Sequence, residues 1–362
     1  MDPSDLVGEY DAVRPQYEAF TASLSSLLHN LLATAEIEFF AIEPRTKTTS
    51  SFEGKVHRED KSQKYRMVSD VTDLSGIRII AYLQEDCDHI ESLVKENFLV
   101  DEVNSVRKED ELDPDKFGYL STHYVVSLGK DRIRLFEFSR FRGMKAEIQI
   151  RTLLQHTWAA IDWKFRYKEE REAPKSLRRR LFRISALLEA ADNEFSAVRQ
   201  AISELRERYS QGISKGELKI PLNTESARSF LATSETAQKI IQAAQDSGVR
   251  LASAREGPIP YQMLVAAAEG LGIESLEQLD IALAANSAQA PELFSDVVKR
   301  RLARRADRPP QLFASAMVRF VLLAGAAKNK RQSLLEAHPF PEDYEEALDH
   351  FWSKSQSRRR GK

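Results

Sequence analysis

Residues 145–168 read KAEIQIRTLLQHTWAAIDWKFRYK, and the period of the pattern changes halfway along. From Ala146 to Ile150 apolar and polar residues alternate with β-branched support. That predicts a short strand with Glu147 and Gln149 on one face and Ile148 and Ile150 on the other, toward a core. Thr152 is placed to cap a following helix, whose apolar positions Leu153, Leu154, Trp158, Ile161 and Phe165 fall three to four apart. A carboxylate near the end of a strand, followed at once by an arginine and a helix, is where a mixed α/β domain can bind a metal nucleotide. The rest of the chain must then supply phosphate-binding and metal-binding groups.

Upstream, the stretch YRMVSDVTDLSGIRIIAYL contains a buried strand, Ile77 to Leu83, introduced by Gly76, which permits a close backbone approach or a positive φ. Asp73 precedes that glycine and Arg78 follows it. The aspartate is either a turn or cap residue or a ligand for Mg²⁺, a hard cation that takes one or two carboxylates together with substrate phosphates. Further upstream, residues 45–64, RTKTTSSFEGKVHREDKSQK, are rich in cations and hydroxyls. Arg45, Lys47, Ser51 and Lys55 there either wrap a polyphosphate or form a solvated basic loop. Residues from about 3 to 40 form a helix with the stripe Tyr17, Phe20, Leu24, Leu27, Leu28, Leu31 and Leu32, and Pro44 is expected to end it.

Between these segments the pattern predicts a helix over 88–97 and strands over 98–106, 122–128 and 133–138, then a turn around Gly143. Tyr119, after Gly118, either stacks on a planar base or packs against the rim of the next strand. His123 lies two residues beyond Ser121 on the same strand face. It serves either a phosphate or a core partner.

The 362 residues suffice for about two domains, and 42% hydrophobic with 30% charged residues is ordinary for a globular protein. A formal net charge of −2 carries no global nucleic-acid signature. Cys87, the one cysteine, rules out an internal disulfide framework and a cysteine-based zinc module, and suits a reducing compartment. The acidic N-terminus is unlike a signal peptide, and no run approaches the roughly 18 apolar residues of a membrane span, so a cytoplasmic location without membrane association is expected.

Taken in order, RTK with Ser51 and Lys55, then DLSGIRI, then GYLSTH, then EIQIRT with its following helix resemble the synthetase domain of the RelA/SpoT family. The resemblance covers roughly residues 40 to 170. It implies an α/β (α+β) nucleotidyltransferase-like fold, a mixed sheet flanked by helices, and transfer of the β,γ-pyrophosphate of ATP to a ribose 3′-hydroxyl with Mg²⁺. Carried over by motif, Arg45, Lys47, Ser51, Lys55 and Arg78 become ATP-binding positions. Asp73 and Glu147 become catalytic and metal-binding, while Tyr119, His123, Gln149 and Arg151 belong to the acceptor side. Two departures stand out: Phe117 and Lys116 precede the Gly-Tyr where relatives carry a lysine and an asparagine, and Trp163 replaces a common histidine.

Beyond Lys175 nearly everything reads helical, and a mostly α-helical C-terminal region is expected. A heptad-like seam, Leu181, Ile184, Leu188, Ala191, Phe195, Val198, Ile202 and Leu205, either packs within the chain, the favoured reading, or pairs with a second copy as a homo-oligomer. The basic cluster Lys175, Arg178, Arg179, Arg180 and Arg183 is a solvated face or a nucleic-acid contact. Gly212, Gly216 and Pro221 suggest a boundary, giving domains over 1–210 and 220–355 and a disordered basic tail over 356–362. No His-Asp dipeptide occurs, so an HD-type hydrolase half is not evident.

Three functions compete at this stage. The first is a (p)ppGpp-forming pyrophosphokinase using GDP or GTP as acceptor. The second is a toxin-type relative that modifies the 3′ end of tRNA or an adenine nucleotide, restrained by its C-terminal region. The third is an inactive nucleotide-binding sensor.

Overall fold

The computed structural model describes residues 3–58, 65–107, 121–167, 175–252, 258–304 and 308–360. They divide into two compact units, Met1–Val198 and Arg199–Lys362.

In the first unit, helix α1 (Pro3–Thr34) is followed by strand β1 (Ala41–Thr46), helix α2 (Thr49–Val56) and strand β2 (Ser75–Ala81). Helix α3 (Gln84–Asn97) leads to strands β3 (Phe98–Val100), β4 (Val106–Arg107) and β5 (Thr122–Leu128). Two short helices, α4 (Lys130–Ile133) and α5 (Phe136–Ser139), precede strand β6 (Ala146–Thr152) and helix α6 (Leu153–Tyr167). Helix α7 (Lys175–Ser214) is 40 residues long and runs past the boundary between the units. Among the described residues the sheet has six strands in the order β1-β2-β6-β5-β3, with β4 also on β5. Strands β2 and β6 are parallel, while β1 on β2 and β5 on β6 are antiparallel. This is the mixed sheet flanked by helices expected from the alternation.

One face of the sheet carries the core. Ile77, Ile79, Ile148 and Ile150 are at most 1% exposed and pack with Phe20, Leu24, Leu28 and Leu32 of α1 and Ile90 and Val94 of α3. The opposite face presents Arg78, Glu147, Gln149 and His123, which the two-residue period of a strand requires. Thr152 caps α6 as expected: its Oγ1 accepts from the Gln155 N–H (3.1 Å), and the Gln155 Oε1 accepts from the Thr152 N–H (2.9 Å). Gly143 makes its turn at φ 77°.

Four expectations are corrected. Pro44 does not end the first helix, which stops at Thr34; it sits inside β1. β1 is an edge strand, and edges tolerate a residue without an N–H. Residues 133–138 are not a strand but parts of α4 and α5. A strand there would need one buried face, whereas Leu135 and Phe136, neighbours on opposite faces, are both exposed. Gly76 has no positive φ, and a Cβ there would meet only the Arg45 carbonyl oxygen at 3.5 Å, an ordinary contact. The seam on α7 does not pack fully within the chain: Ile184, Phe195 and Val198 are 48–56% exposed. The face that packs instead holds Ser185 and Asp192, one heptad apart and nearly buried.

The second unit is built almost entirely from helices. These are α8 (Thr224–Thr233), α9 (Glu235–Asp246), α10 (Pro258–Gly270), α11 (Leu276–Ser287), α12 (Ala290–Ala303), α13 (Ala314–Ala324), α14 (Lys328–Ala337) and α15 (Glu342–Arg360). A two-stranded parallel sheet, β7 (Arg250–Leu251) on β8 (Gln311–Leu312), is too short to show in sequence. Phe230, Ile240, Leu264, Leu279, Phe294 and Phe320 share its core. The final helix extends through Arg360. No helix among the described residues is long and apolar enough to cross a membrane.

The sheet core yields a direct test. Ile148→Ala, at a fully buried position on β6, should lower stability by about 2–5 kcal/mol. Urea unfolding followed by circular dichroism measures this, and an unmoved midpoint would contradict the packing described.

Candidate active site

The strand register assembles the polar face in two rows. Across β1, β2, β6 and β5, Glu43 pairs with Arg78, Arg78 with Gln149, and Gln149 with His123. One step along, Arg45 pairs with Gly76, Gly76 with Glu147, and Glu147 with Val125. Gly76 thus leaves the floor bare between Arg45 and Glu147. A pocket of about 360 Å³ opens there, lined by Arg45, Lys47, Asp73, Gly76, Arg78, Glu147 and Gln149 together with Glu43, Pro44 and Ile77. That volume lies in the range of small-molecule sites.

Three carboxylates line this pocket: Glu43 is paired with Arg78, and Asp73 and Glu147 are each held by partners of their own. Asp73 receives Lys47 Nζ on Oδ2 (2.8 Å) and Lys55 Nζ on Oδ1 (2.7 Å). Burial alone would raise the Asp73 pKa, but the charges and hydrogen bonds of Lys47 and Lys55 outweigh it and hold the carboxyl below its ordinary value. Glu147 accepts from His123 Nδ1 on Oε1 (3.1 Å) and from Gln149 Nε2 on Oε2 (2.7 Å). Its pKa too is pushed up by burial and pulled further down by His123 and Gln149. Because an ionised carboxylate only accepts, His123 Nδ1 carries the proton in this bond. His123 Nε2 lies 2.7 Å from Ser121 Oγ.

Arg78 donates through Nη1 to Glu43 Oε2 (2.7 Å) and through Nε to Gln149 Oε1 (3.4 Å). It therefore links the edge strand to the polar neighbour of Glu147. The position of Lys47 is set from α1, since the buried Tyr10 hydroxyl donates to the Lys47 carbonyl oxygen (2.6 Å). Tyr10 stacks on Phe52 of α2 with ring centroids 4.4 Å apart, and burial raises its pKa to about 12. Beneath β1 and β2, Thr21 Oγ1 bonds Ser75 Oγ (2.7 Å) and accepts from Thr46 Oγ1 (3.0 Å).

Of the residues singled out in sequence, Arg45, Lys47, Asp73, Arg78, Glu147 and Gln149 line one pocket. Lys55 and His123 join it through one bond each to a carboxylate. Ser51 stands apart in the cap of α2, where its N–H and Oγ engage Thr48 Oγ1. Arg151 is buried (3% exposed) and is not part of the lining. Tyr119 lies outside the described residues. Glu43, Tyr10 and Ser121 were not identified as site residues from sequence. The signal for Glu43 in sequence is its alternation with Arg45 in AIEPRT, which Pro44 masks because proline is also a helix stop.

A mixed sheet with paired carboxylates and cations at the joint of parallel strands is the architecture the motifs implied. Residues 44–172 match the family model described as a region found in RelA / SpoT proteins. GTP pyrophosphokinase YjbM of Bacillus subtilis is 28% identical over 181 residues, covering 48% of this chain and 78% of that protein. GTP pyrophosphokinase YwaC of the same organism is 24% identical over 160 residues, 44% of this chain and 72% of that one. Among solved structures, small alarmone synthetase 1 of Bacillus subtilis bound to its product pppGpp is 24% identical, with a TM-score of 0.45 over 53% of this chain and 97% of that one.

The clamp on Asp73 gives a pH dependence of definite sign. A carboxylate with a depressed folded pKa contributes stability that is present above its unfolded value, ordinarily 3.8 here, and lost as pH falls through the lower folded value. The melting-temperature advantage of the parent over Asp73→Asn should therefore be largest near neutrality and shrink as the pH falls below the ordinary carboxylate value of 3.8. An advantage that is constant across that fall in pH would contradict the ion pairs.

Proposed function

We propose that the first unit is an ATP-dependent pyrophosphokinase that transfers the β,γ-pyrophosphate of ATP to the 3′-hydroxyl of GDP or GTP. The observation that carries this reading is the pair Asp73 and Glu147, both held charged, facing one cation-lined pocket. The pyrophosphokinase names of the matched relatives support it.

The reaction forms a bond between the acceptor 3′-oxygen and the β-phosphorus and breaks the bond between that phosphorus and the oxygen bridging to the α-phosphorus. AMP leaves with the bridging oxygen. Little covalent chemistry is asked of the protein; positioning and charge stabilisation do most of the work. Arg45, Lys47, Lys55 and Arg78 supply cations for the triphosphate, and among the described residues Arg45 is in no ion pair. Glu147 takes the 3′-hydroxyl proton, oriented by Gln149 and by His123, which Ser121 holds in turn.

The donor set also fits Mg²⁺. Asp73 and Glu147 offer hard oxygens, and among the described residues no cluster of three or more His, Cys, Asp or Glu forms an all-protein cage. Such a pair suits a cation that completes its shell with phosphate oxygens and water. Bound there, Mg²⁺ would neutralise charge on the phosphates and on the leaving group. Lys47 and Lys55 balance the Asp73 charge.

The test is transfer from ATP labelled in the β,γ-phosphates, with GDP, GTP, adenine nucleotides and deacylated tRNA offered separately. Labelled product from GDP or GTP is expected, with turnover falling at least about a thousandfold in Asp73→Asn or Glu147→Gln while the circular dichroism spectrum is kept. Label only in an adenine nucleotide or tRNA would reassign the acceptor. ATP binding with no transfer to any acceptor would make the protein a nucleotide sensor.

A further inference from the structure

A second cavity lies on the other face of the sheet. It is bounded by α3, α6, α7 and the strand residues Thr122 and Ile150, whose side chains alternate with those of His123 and Gln149. Its volume is about 160 Å³, and a cavity of roughly 150 Å³ is large enough to accept benzene. The mechanism proposed above uses none of its carboxylates.

The lining has a consistent electrostatic sign. Glu91, Glu189 and Asp192 contribute carboxylates, and among the described residues no lysine, arginine or histidine lines the cavity. Glu91, 5% exposed, accepts from Thr122 Oγ1 (2.6 Å) and the Tyr124 hydroxyl (2.9 Å). Asp192, 6% exposed, accepts from Thr152 Oγ1 on Oδ2 (2.6 Å), while its Oδ1 is buried without a hydrogen-bond partner. Burial raises the Asp192 pKa, with the Thr152 bond opposing, so the one hydroxyl does not compensate the lost hydration. Cys87, Ile150, Trp158 and Leu188 form the apolar wall.

These features select a class of ligand. A carboxylate oxygen without a donor, among further carboxylates, calls for a cationic hydrogen-bond donor. Among the described residues no three His, Cys, Asp or Glu are grouped to hold a metal ion, so a bare metal is not favoured. The apolar wall and the indole of Trp158 suit a short alkyl chain bearing its charge beside an aromatic face.

We propose that this cavity is a binding site for a small organic cation, an ammonium or guanidinium group on a short alkyl chain, with Asp192 as its principal partner. The site shares no lining residue with the pocket of Asp73 and Glu147, although Ser121 of its lining also reaches His123, and it holds whether or not that pocket transfers pyrophosphate. The cation completes the hydrogen bonding of Asp192, whose other oxygen is tied to the cap of α6.

The probe is n-butylammonium chloride, titrated calorimetrically into the full-length protein, with n-butanol as the neutral isostere at matched ionic strength. Saturable one-to-one binding of the ammonium is expected, with no comparable binding of the alcohol. Asp192→Asn should weaken it by at least about tenfold, as loss of one partner of a desolvated charge pair does. Glu189→Gln, at a less buried position, should weaken it by a smaller factor and serves as the deciding variant if Asp192→Asn fails to fold by circular dichroism. Absence of saturable binding, equal binding of n-butanol, or unchanged affinity in the folded variants would overturn the proposal.

Discussion

Asp73 held between Lys47 and Lys55 is the interaction on which the site depends. The three residues come from separate segments: the residue just past β1, helix α2, and the approach to β2. Each ion pair is partly buried, so the carboxylate keeps its charge only because two ammonium groups offset the lost hydration. The clamp also fixes the backbone around it. Lys47 is bonded through its N–H to the Leu74 carbonyl (2.9 Å) and through its own carbonyl to Tyr10. Helix α1, read in sequence as a packing element, is therefore also a support for the site.

The sheet register connects this clamp to the second carboxylate. Parallel pairing of β2 with β6 puts Gly76 opposite Glu147, and the missing side chain leaves room between Glu147 and Arg45. A one-residue slip of β6 would turn Glu147 and Gln149 into the core and expose Ile148 and Ile150. The apolar face of the strand thereby protects the chemistry of its polar face. The same alternation leaves Thr122, Ile150 and Thr152 facing helices α3, α6 and α7, where the acidic cavity lies.

What was legible in sequence followed from strong local period. The strands at 75–81, 122–128 and 146–152, the Thr152 cap and the helices of the second unit all have repeating patterns that one face of a core imposes. Residues with ambiguous local chemistry were harder to place. Pro44 is a helix stop by habit and an edge-strand residue here, which hid β1 and with it Glu43. Residues 133–138 alternate as a strand would, yet no sheet edge receives them. On α7 the period marks an apolar seam, whereas burial falls on Ser185 and on Asp192, whose Oδ2 accepts from Thr152 Oγ1. Candidate site residues were found through ordered motifs, but which of them meet was set by strand pairing, as the separate positions of Ser51 and Arg151 show.

On the function proposed, the carboxylate held by two lysines is where a metal nucleotide binds. The most direct test is calorimetric titration with an ATP analogue carrying a methylene bridge between the α- and β-phosphorus, with and without Mg²⁺, on the parent protein and on Asp73→Asn. Mg²⁺ is expected to tighten binding to the parent, and the substitution to abolish this gain while metal-free binding persists. An equal gain from Mg²⁺ in both proteins would contradict it.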